Sequence, residues 1–222
     1  MNNEFKNTKK LKPKDEIGFQ CTCCGDCCRN VNQIIPIESI DAFRMAKYLR
    51  DKGEDISSVE DFLLRYGEPV LIHESGYFAF FLKTQGEDNA CVFLENNRCK
   101  IHAANPKACR TYPFIGHLDK NLEPEFYVSM ERTDHFKGPR VKTKTWMKNR
   151  FTDEDQEALR IDLQTIIGIV SVLKRIPKDK FNSIFSILLR YKYVDFDLDK
   201  PFLDQYRKNN NLLLYELVRI AE

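Results

Sequence analysis

Phe19-Gln20-Cys21-Thr22-Cys23-Cys24-Gly25-Asp26-Cys27-Cys28-Arg29 packs five thiols into eight residues. Thiol, small and polar groups dominate the stretch, which excludes a core strand or an amphipathic helix. So many sulfurs in so short a segment require a chemical role. A thiolate is a soft ligand that selects zinc, iron–sulfur clusters or copper(I) over magnesium or calcium. Cys21, Cys24 and Cys27 are spaced C-x2-C-x2-C, which lets one loop wrap three thiolates around a centre, as in ferredoxin-type iron–sulfur sites. Gly25 relieves backbone crowding in that loop. Cys28 directly follows Cys27, and neighbouring side chains diverge in most backbone conformations. The pair therefore serves either two metal atoms or one polynuclear centre, and a mononuclear zinc site would not need it.

Three more cysteines follow at Cys91, Cys99 and Cys109. If Asn96-Asn97 is the centre of a two-residue hairpin turn, Leu94 faces Cys99 and Cys91 faces His102 across the ladder. That register makes His102 an alternative ligand, although a structural or exposed role is the simpler reading. His117 and His135 have no ligand spacing around them and are read as structural. Disulfides are disfavoured, because adjacent cysteines meet disulfide geometry poorly. Clustered thiols in a chain with a core of its own and no export signal point to metal instead. Arg29 and Arg110 directly follow Cys28 and Cys109. Four thiolates on a zinc ion, or on a doubly positive four-iron cluster, leave about two net negative charges that an interior tolerates poorly. The two arginines are therefore candidates for cofactor binding, donating charge-assisted hydrogen bonds to sulfur or anchoring a carboxylate substrate. The plainer alternative is two surface arginines.

The chain of 222 residues is 42% hydrophobic with a net charge of +2, so it has enough apolar material for a core and no strongly acidic or basic partner is implied. No apolar run is long enough to span a bilayer. Met1 to Lys14 is rich in Lys and Asn and lacks the apolar stretch of a secretory signal, which predicts a cytoplasmic protein. The periodicities predict an α+β fold: a small cysteine-rich metal-binding core of short strands and helices, followed by a C-terminal helical segment. Residues 1–14 read as a disordered tail, 15–135 as the metal-binding domain, 136–150 as a linker and 151–222 as helices packed on that domain. Within these, helices are expected around Ile40–Leu49 and Phe62–Tyr66. A hairpin is expected from Val70–His73 and Tyr77–Leu82 around Glu74-Ser75-Gly76, a strand over Cys91–Leu94, and a helical turn between Pro106 and Pro113. Thr152 with Asp155 resembles a capping box. Leu159, Leu163, Ile166, Ile167, Val170 and Leu173 form a helical stripe, and Ile161, Ile169 and Val172 lie off it, so this helix is expected to be buried on more than one face.

Taken together, Phe19 to Arg29, Cys91-x-Phe93-Leu94, Cys99-x-Ile101-His102, Pro106-x-x-Cys109-Arg110 and Tyr112-Pro113-Phe114 resemble the YkgJ-type cysteine-cluster family, whose signature is C-x2-C-x2-C-C. The resemblance covers roughly residues 19–115 and implies zinc or iron chelation. It implies that Cys21, Cys24, Cys27 and Cys28 are the signature thiols and that Cys91, Cys99 and Cys109 form a second set. Cys23 is extra to the pattern, and the family commonly has Tyr where His102 stands. A related domain occurs in flagellin lysine methylases, which are associated with an iron–sulfur cluster and methyl transfer. Three functions follow in order. The first is a metal-binding protein holding an iron–sulfur cluster, with a four-iron cluster favoured, or zinc. The alternative is an iron–sulfur-dependent protein lysine methyltransferase using S-adenosylmethionine, with a protein as substrate or partner. A nucleic-acid-binding zinc module ranks last, because there is no second C-x2-C half and no concentrated basic face outside the tail.

Overall fold

A computed structural model of the chain describes residues 7–22, 24–74 and 76–222. Its strands in chain order are β1 (Thr8–Leu11), β2 (Glu16–Gly18), β3 (Pro36–Ile37), β4 (Gly67–Leu71), β5 (Phe78–Leu82), β6 (Thr84–Gln85), β7 (Ala90–Cys91), β8 (Leu94–Glu95), β9 (Arg98–Cys99), β10 (Phe114–Leu118), β11 (Pro124–Ser129) and β12 (Arg140–Lys142). The helices are α1 (Ser39–Asp51), α2 (Val59–Tyr66), α3 (Lys107–Thr111), α4 (Thr143–Met147), α5 (Asp153–Leu173), α6 (Phe181–Leu189) and α7 (Phe202–Ala221). The fold is mixed α+β, with several small antiparallel sheets and helices at the C-terminal end, as expected.

Two apolar cores organise these elements. The larger joins the strand order β3-β5-β4 to α1, α2 and the C-terminal helices. Along β5 the period-2 rule puts Phe78, Phe80 and Leu82 inward, where they meet Phe62, Ile184 and Leu188 in one buried cluster. Each such side chain contributes about 1.5–3 kcal/mol through removal from water. Ser58 caps α2 by accepting a hydrogen bond from the Asp61 amide at 3.0 Å, satisfying one of the free amides of the first turn. The smaller core lies on the sheet β1-β11-β10 and gathers Leu11, Phe114, Leu118, Val128, Met147 and Phe151.

Three expectations are corrected. The expected tail over residues 1–14 contains β1, which pairs Lys10 with Tyr127 on β11 and buries Leu11; apolar Leu11 gains more under the sheet than in water. Residues 1–6 lie outside the described part of the chain, as do Cys23 and Ser75 in the expected hairpin turn. The expected linker over 136–150 is folded as β12 and α4, because Thr143 and Met147 are buried. On α5 the buried positions are Asp155, Ala158, Ile161, Thr165, Ile169 and Val172: the off-stripe residues Ile161, Ile169 and Val172 are inside, in keeping with burial on more than one face, while no stripe residue is fully buried and Ile167 is 74% exposed. The helix divides its apolar residues, with Leu159 and Leu163 against the smaller core and Ile166 and Leu173 against the larger. Thr165 fits inside because its hydroxyl donates to the Ile161 carbonyl at 2.7 Å.

Candidate metal centre

The cysteine loop is strung between the two cores. At its start Phe19 is buried, edge-on to Tyr112 and Trp146 at 5.8 and 5.3 Å, and its amide donates to the Pro139 carbonyl at 3.1 Å. At its end the Asn30 and Val31 amides donate to the Asp88 and Asn89 carbonyls at 2.8 and 3.0 Å. Between these anchors Gly25 sits at φ 80°, a left-handed conformation that glycine adopts without steric cost. It opens a single turn over Asp26–Cys28, closed by the Cys28 amide on the Gly25 carbonyl at 3.0 Å. A Cβ at Gly25 would lie 3.2 Å from the Asn97 Cα and 3.3 Å from Leu94 Cδ1. The loop therefore touches the β8–β9 hairpin, which carries Cys99.

The hairpin turn is the expected one. Asn96 and Asn97 are both left-handed at φ 49° and 61°, the geometry of a type I′ turn, and Leu94 pairs with Cys99. The ladder stops there. Cys91 lies instead in the small β6–β7 ladder opposite Thr84, and the expected strand over Cys91–Leu94 is broken into β7 and β8. His102 is exposed in the next turn, away from the pairing with Cys91 that sequence register suggested. Cys109 is carried by α3, the helical turn expected after Pro106.

All seven described cysteines are free thiols. Cys27 and Cys28 have their sulfurs 3.9 Å apart, and this contact, followed by burial, pushes the Cys27 thiol pKa upward. Burial raises Cys91 to about 11, and the charges of Cys99 and Cys27 add to the shift. Burial also raises Cys99, with Cys27 contributing. Cys109 is raised well above its ordinary value, by burial first and then by the charges of Cys91, Cys99 and Cys27. Cys27, Cys91, Cys99 and Cys109 thus lie within electrostatic range of one another, and all four resist becoming thiolates. A bound cation offsets both the burial and the mutual repulsion. That donor set suits a soft metal or a cluster. Cys21, Cys24 and Cys27 are exposed, Cys28 is half-buried, and Cys23 lies outside the described residues.

The arginines face carboxylates rather than sulfur. Arg110 donates to Asp41 and to the carbonyls of Asn105 and Arg150, each at 3.0 Å, and also to Asp155. Buried carboxylates are stronger acceptors than thiols for a charge-assisted bond, so the expected sulfur partner is replaced by Asp41 and Asp155. These bonds tie α3, and with it Cys109, to α1 and α5. Arg29 likewise pairs with Asp88 and donates to Asn97 at 2.8 Å, pinning the loop to the hairpin side. Asp41 is raised to about 6, by burial and the charge of Glu38 working against Arg110 and Lys107. Asp155 is lowered: burial favours its neutral form, and the charges of Arg110 and Arg44 outweigh that.

His135 is the residue that sequence spacing did not single out. A short turn over Thr133–His135 brings its ring to the loop, and the Cys24 sulfur, an Asp26 oxygen and a His135 nitrogen lie within 4.8 Å of one another. No short-range motif announces this, since His135 reaches the loop only through the fold. Its ring is held there by Tyr112, whose hydroxyl lies 2.8 Å from His135 Nδ1.

No curated protein and no solved structure matches the chain. None of the described helices is long and apolar enough to cross a membrane. Residues 20–149 match the family described as "Putative zinc- or iron-chelating domain", with the motif CxxCxxCC. That segment begins at the residue before Cys21 and ends after α4, so it takes in both cysteine groups, the hairpin, α3 and His135. On this match over more than half its length, the chain belongs to the CxxCxxCC family of zinc- or iron-chelating domains.

Proposed function

We propose that the chain holds an iron–sulfur centre, with a four-iron cluster favoured over zinc, through thiols from both cysteine groups. The observation that carries this reading is the 3.9 Å contact of the Cys27 and Cys28 sulfurs on a loop whose Gly25 packs against the β8–β9 hairpin that carries Cys99, with Cys91, Cys99 and Cys109 in electrostatic range of Cys27. Their spacing supports a polynuclear centre. The sulfurs around one zinc ion sit about 3.8 Å apart, given a Zn–S bond of about 2.3 Å. Among the described residues no three of these thiols lie within 4.8 Å of one another, yet Cys109 is within range of the charges of Cys91, Cys99 and Cys27. A cluster of this kind supplies one-electron transfer or an iron Lewis acid when bound. The chain's own contribution is an apolar core containing Cys91, Phe93 and Ile101, against which Cys28 and Cys99 pack, and a seat for Cys109 set by Arg110.

Anaerobic purification with iron, sulfide and zinc quantitation tests the reading. Iron and sulfide in roughly equal amounts, about four of each per chain and lost alike in Cys27→Ser and Cys109→Ser, is the expected result. A colourless protein with stoichiometric zinc and no sulfide overturns the iron–sulfur assignment. Loss of metal in Cys27→Ser with full retention in Cys109→Ser overturns the shared centre.

A further inference from the structure

On the outer side of the loop stands a second donor set, distinct in chemistry from the inner thiols. We infer that Cys24, Asp26 and His135 form an exchangeable site for a divalent late transition-metal ion such as zinc or ferrous iron, with Arg132 as the cation that occupies the place when no metal is bound. Their ligand atoms lie within 4.8 Å of one another. That separation is wider than the donor spacing around a bound ion, and side-chain rotation closes the difference, because Cys24 is exposed and Asp26 only half-buried.

The ring of His135 is prepared for this role. Arg132 Nη2 lies 3.1 Å from His135 Nε2. A guanidinium can only donate, so Nε2 is the unprotonated nitrogen and Nδ1–H donates to the Tyr112 hydroxyl 2.8 Å away. A metal-binding histidine is held in this way, with one nitrogen fixed by a neighbour and the lone pair of the other free to coordinate. His135 is largely buried at its side chain, 14% exposed, so the ring is not loose on the surface.

The electrostatics favour a cation at the same point. His135 Nε2 is 3.8 Å from Asp26 Oδ2 and 3.8 Å from Asp134 Oδ2. Arg132 is 3.7 Å from Asp26 and 3.1 Å from Asp134. Its guanidinium therefore sits against two of the three donors. Arg132 is exposed and can swing away, after which its partner Asp134 stays beside the site.

One sulfur, one imidazole nitrogen and one carboxylate oxygen form a mixed set that suits zinc or ferrous iron and disfavours magnesium and calcium. Three protein ligands leave a coordination position open to water or substrate, the pattern of catalytic or transfer sites rather than closed structural ones. The proposal assigns Cys24 to this outer position and not to the inner centre. It does not depend on whether the inner centre is iron–sulfur or zinc.

The test uses cobalt(II) as the probe on the full chain with its inner metal in place. Equilibrium dialysis counts cobalt taken up, difference absorbance follows the thiolate-to-cobalt band, and iron, zinc and sulfide are quantified in parallel. The wild type is expected to take up one further cobalt equivalent. His135→Ala should weaken that uptake at least about tenfold while inner metal and sulfide stay unchanged. Arg132→Ala, which removes the competing cation from an exposed position, should tighten it severalfold. Uptake that is absent in the wild type, or equal in all three proteins, overturns the site. Loss of inner metal in His135→Ala overturns its separateness from the inner centre. A chain that proves to lack sulfide refutes the inner iron–sulfur reading and leaves the cobalt count standing.

Discussion

Replacing Arg110 by methionine removes the charge and the forked donors at nearly constant length, so it isolates the role of the clamp. Four acceptors are released: the carboxylates of Asp41 and Asp155 and the carbonyls of Asn105 and Arg150. Asp41 and Asp155 are 1% and 0% exposed. Removing one partner of a buried ion pair costs about 3–5 kcal/mol. The lower end applies here, because neither carboxylate is left bare. Asp155 keeps Arg44 and the Thr152 amide at 2.8 Å. Asp41 keeps the Lys107 amide at 2.9 Å, and with its pKa already near 6 it can take up a proton instead of remaining a buried anion. We therefore expect Arg110→Met to destabilise the chain by about 3 kcal/mol, lowering the urea midpoint by about 1 M. The measurement is urea unfolding of the metal-free and metal-loaded protein, with metal content determined on the same samples. Loaded Arg110→Met should also hold its metal less tightly, since α3 positions Cys109. A stability within about 0.5 kcal/mol of wild type would refute the clamp. Weakened metal binding with unchanged metal-free stability would return Arg110 to a role at the sulfurs.

Two further outcomes follow from the same packing. Gly116→Ala places a Cβ 2.7 Å from Phe151 Cδ1 and 2.8 Å from Met147 Cε, so thermal or urea unfolding should show a loss of about 1–3 kcal/mol from overpacking; an unchanged midpoint would mean that the smaller core yields freely. Asp41 gives a pH dependence with a definite sign. Its folded pKa of about 6 exceeds the ordinary value of 3.8, so the native state binds the proton more tightly than the unfolded chain. Stability from this group is therefore greatest below about pH 4 and declines as pH rises through about 6, by up to about 3 kcal/mol. Comparing wild type with Asp41→Asn across pH 4–7 isolates that slope, and identical slopes in the two proteins would remove Asp41 as its source.

Local signals were read well where one short segment carries the whole physical cause. Thr152 caps α5 because a hydroxyl three residues before a free amide can satisfy it. Asn96-Asn97 makes its turn because both residues tolerate left-handed backbone, and the register of Leu94 with Cys99 follows. Burial of α5 on more than one face was legible in the off-stripe Ile161, Ile169 and Val172, but which face meets which core was not, since two separate cores compete for its apolar residues. Nor was the ordered segment over 136–150, whose charged residues hide the two buried anchors Thr143 and Met147.

The metal chemistry of the chain was determined by sequence alone, because the softness of thiolate and the spacing of Cys21, Cys24, Cys27 and Cys28 are properties of residue type and order. Tertiary structure decided how the donors divide. It set Cys28 against Cys27 and Cys27 within electrostatic range of Cys91, Cys99 and Cys109, turned Arg110 toward two buried carboxylates, and brought His135 beside Cys24 and Asp26. A charge or a lone pair finds its partner by distance in space, and distance between remote segments is set by how the two cores pack around the loop.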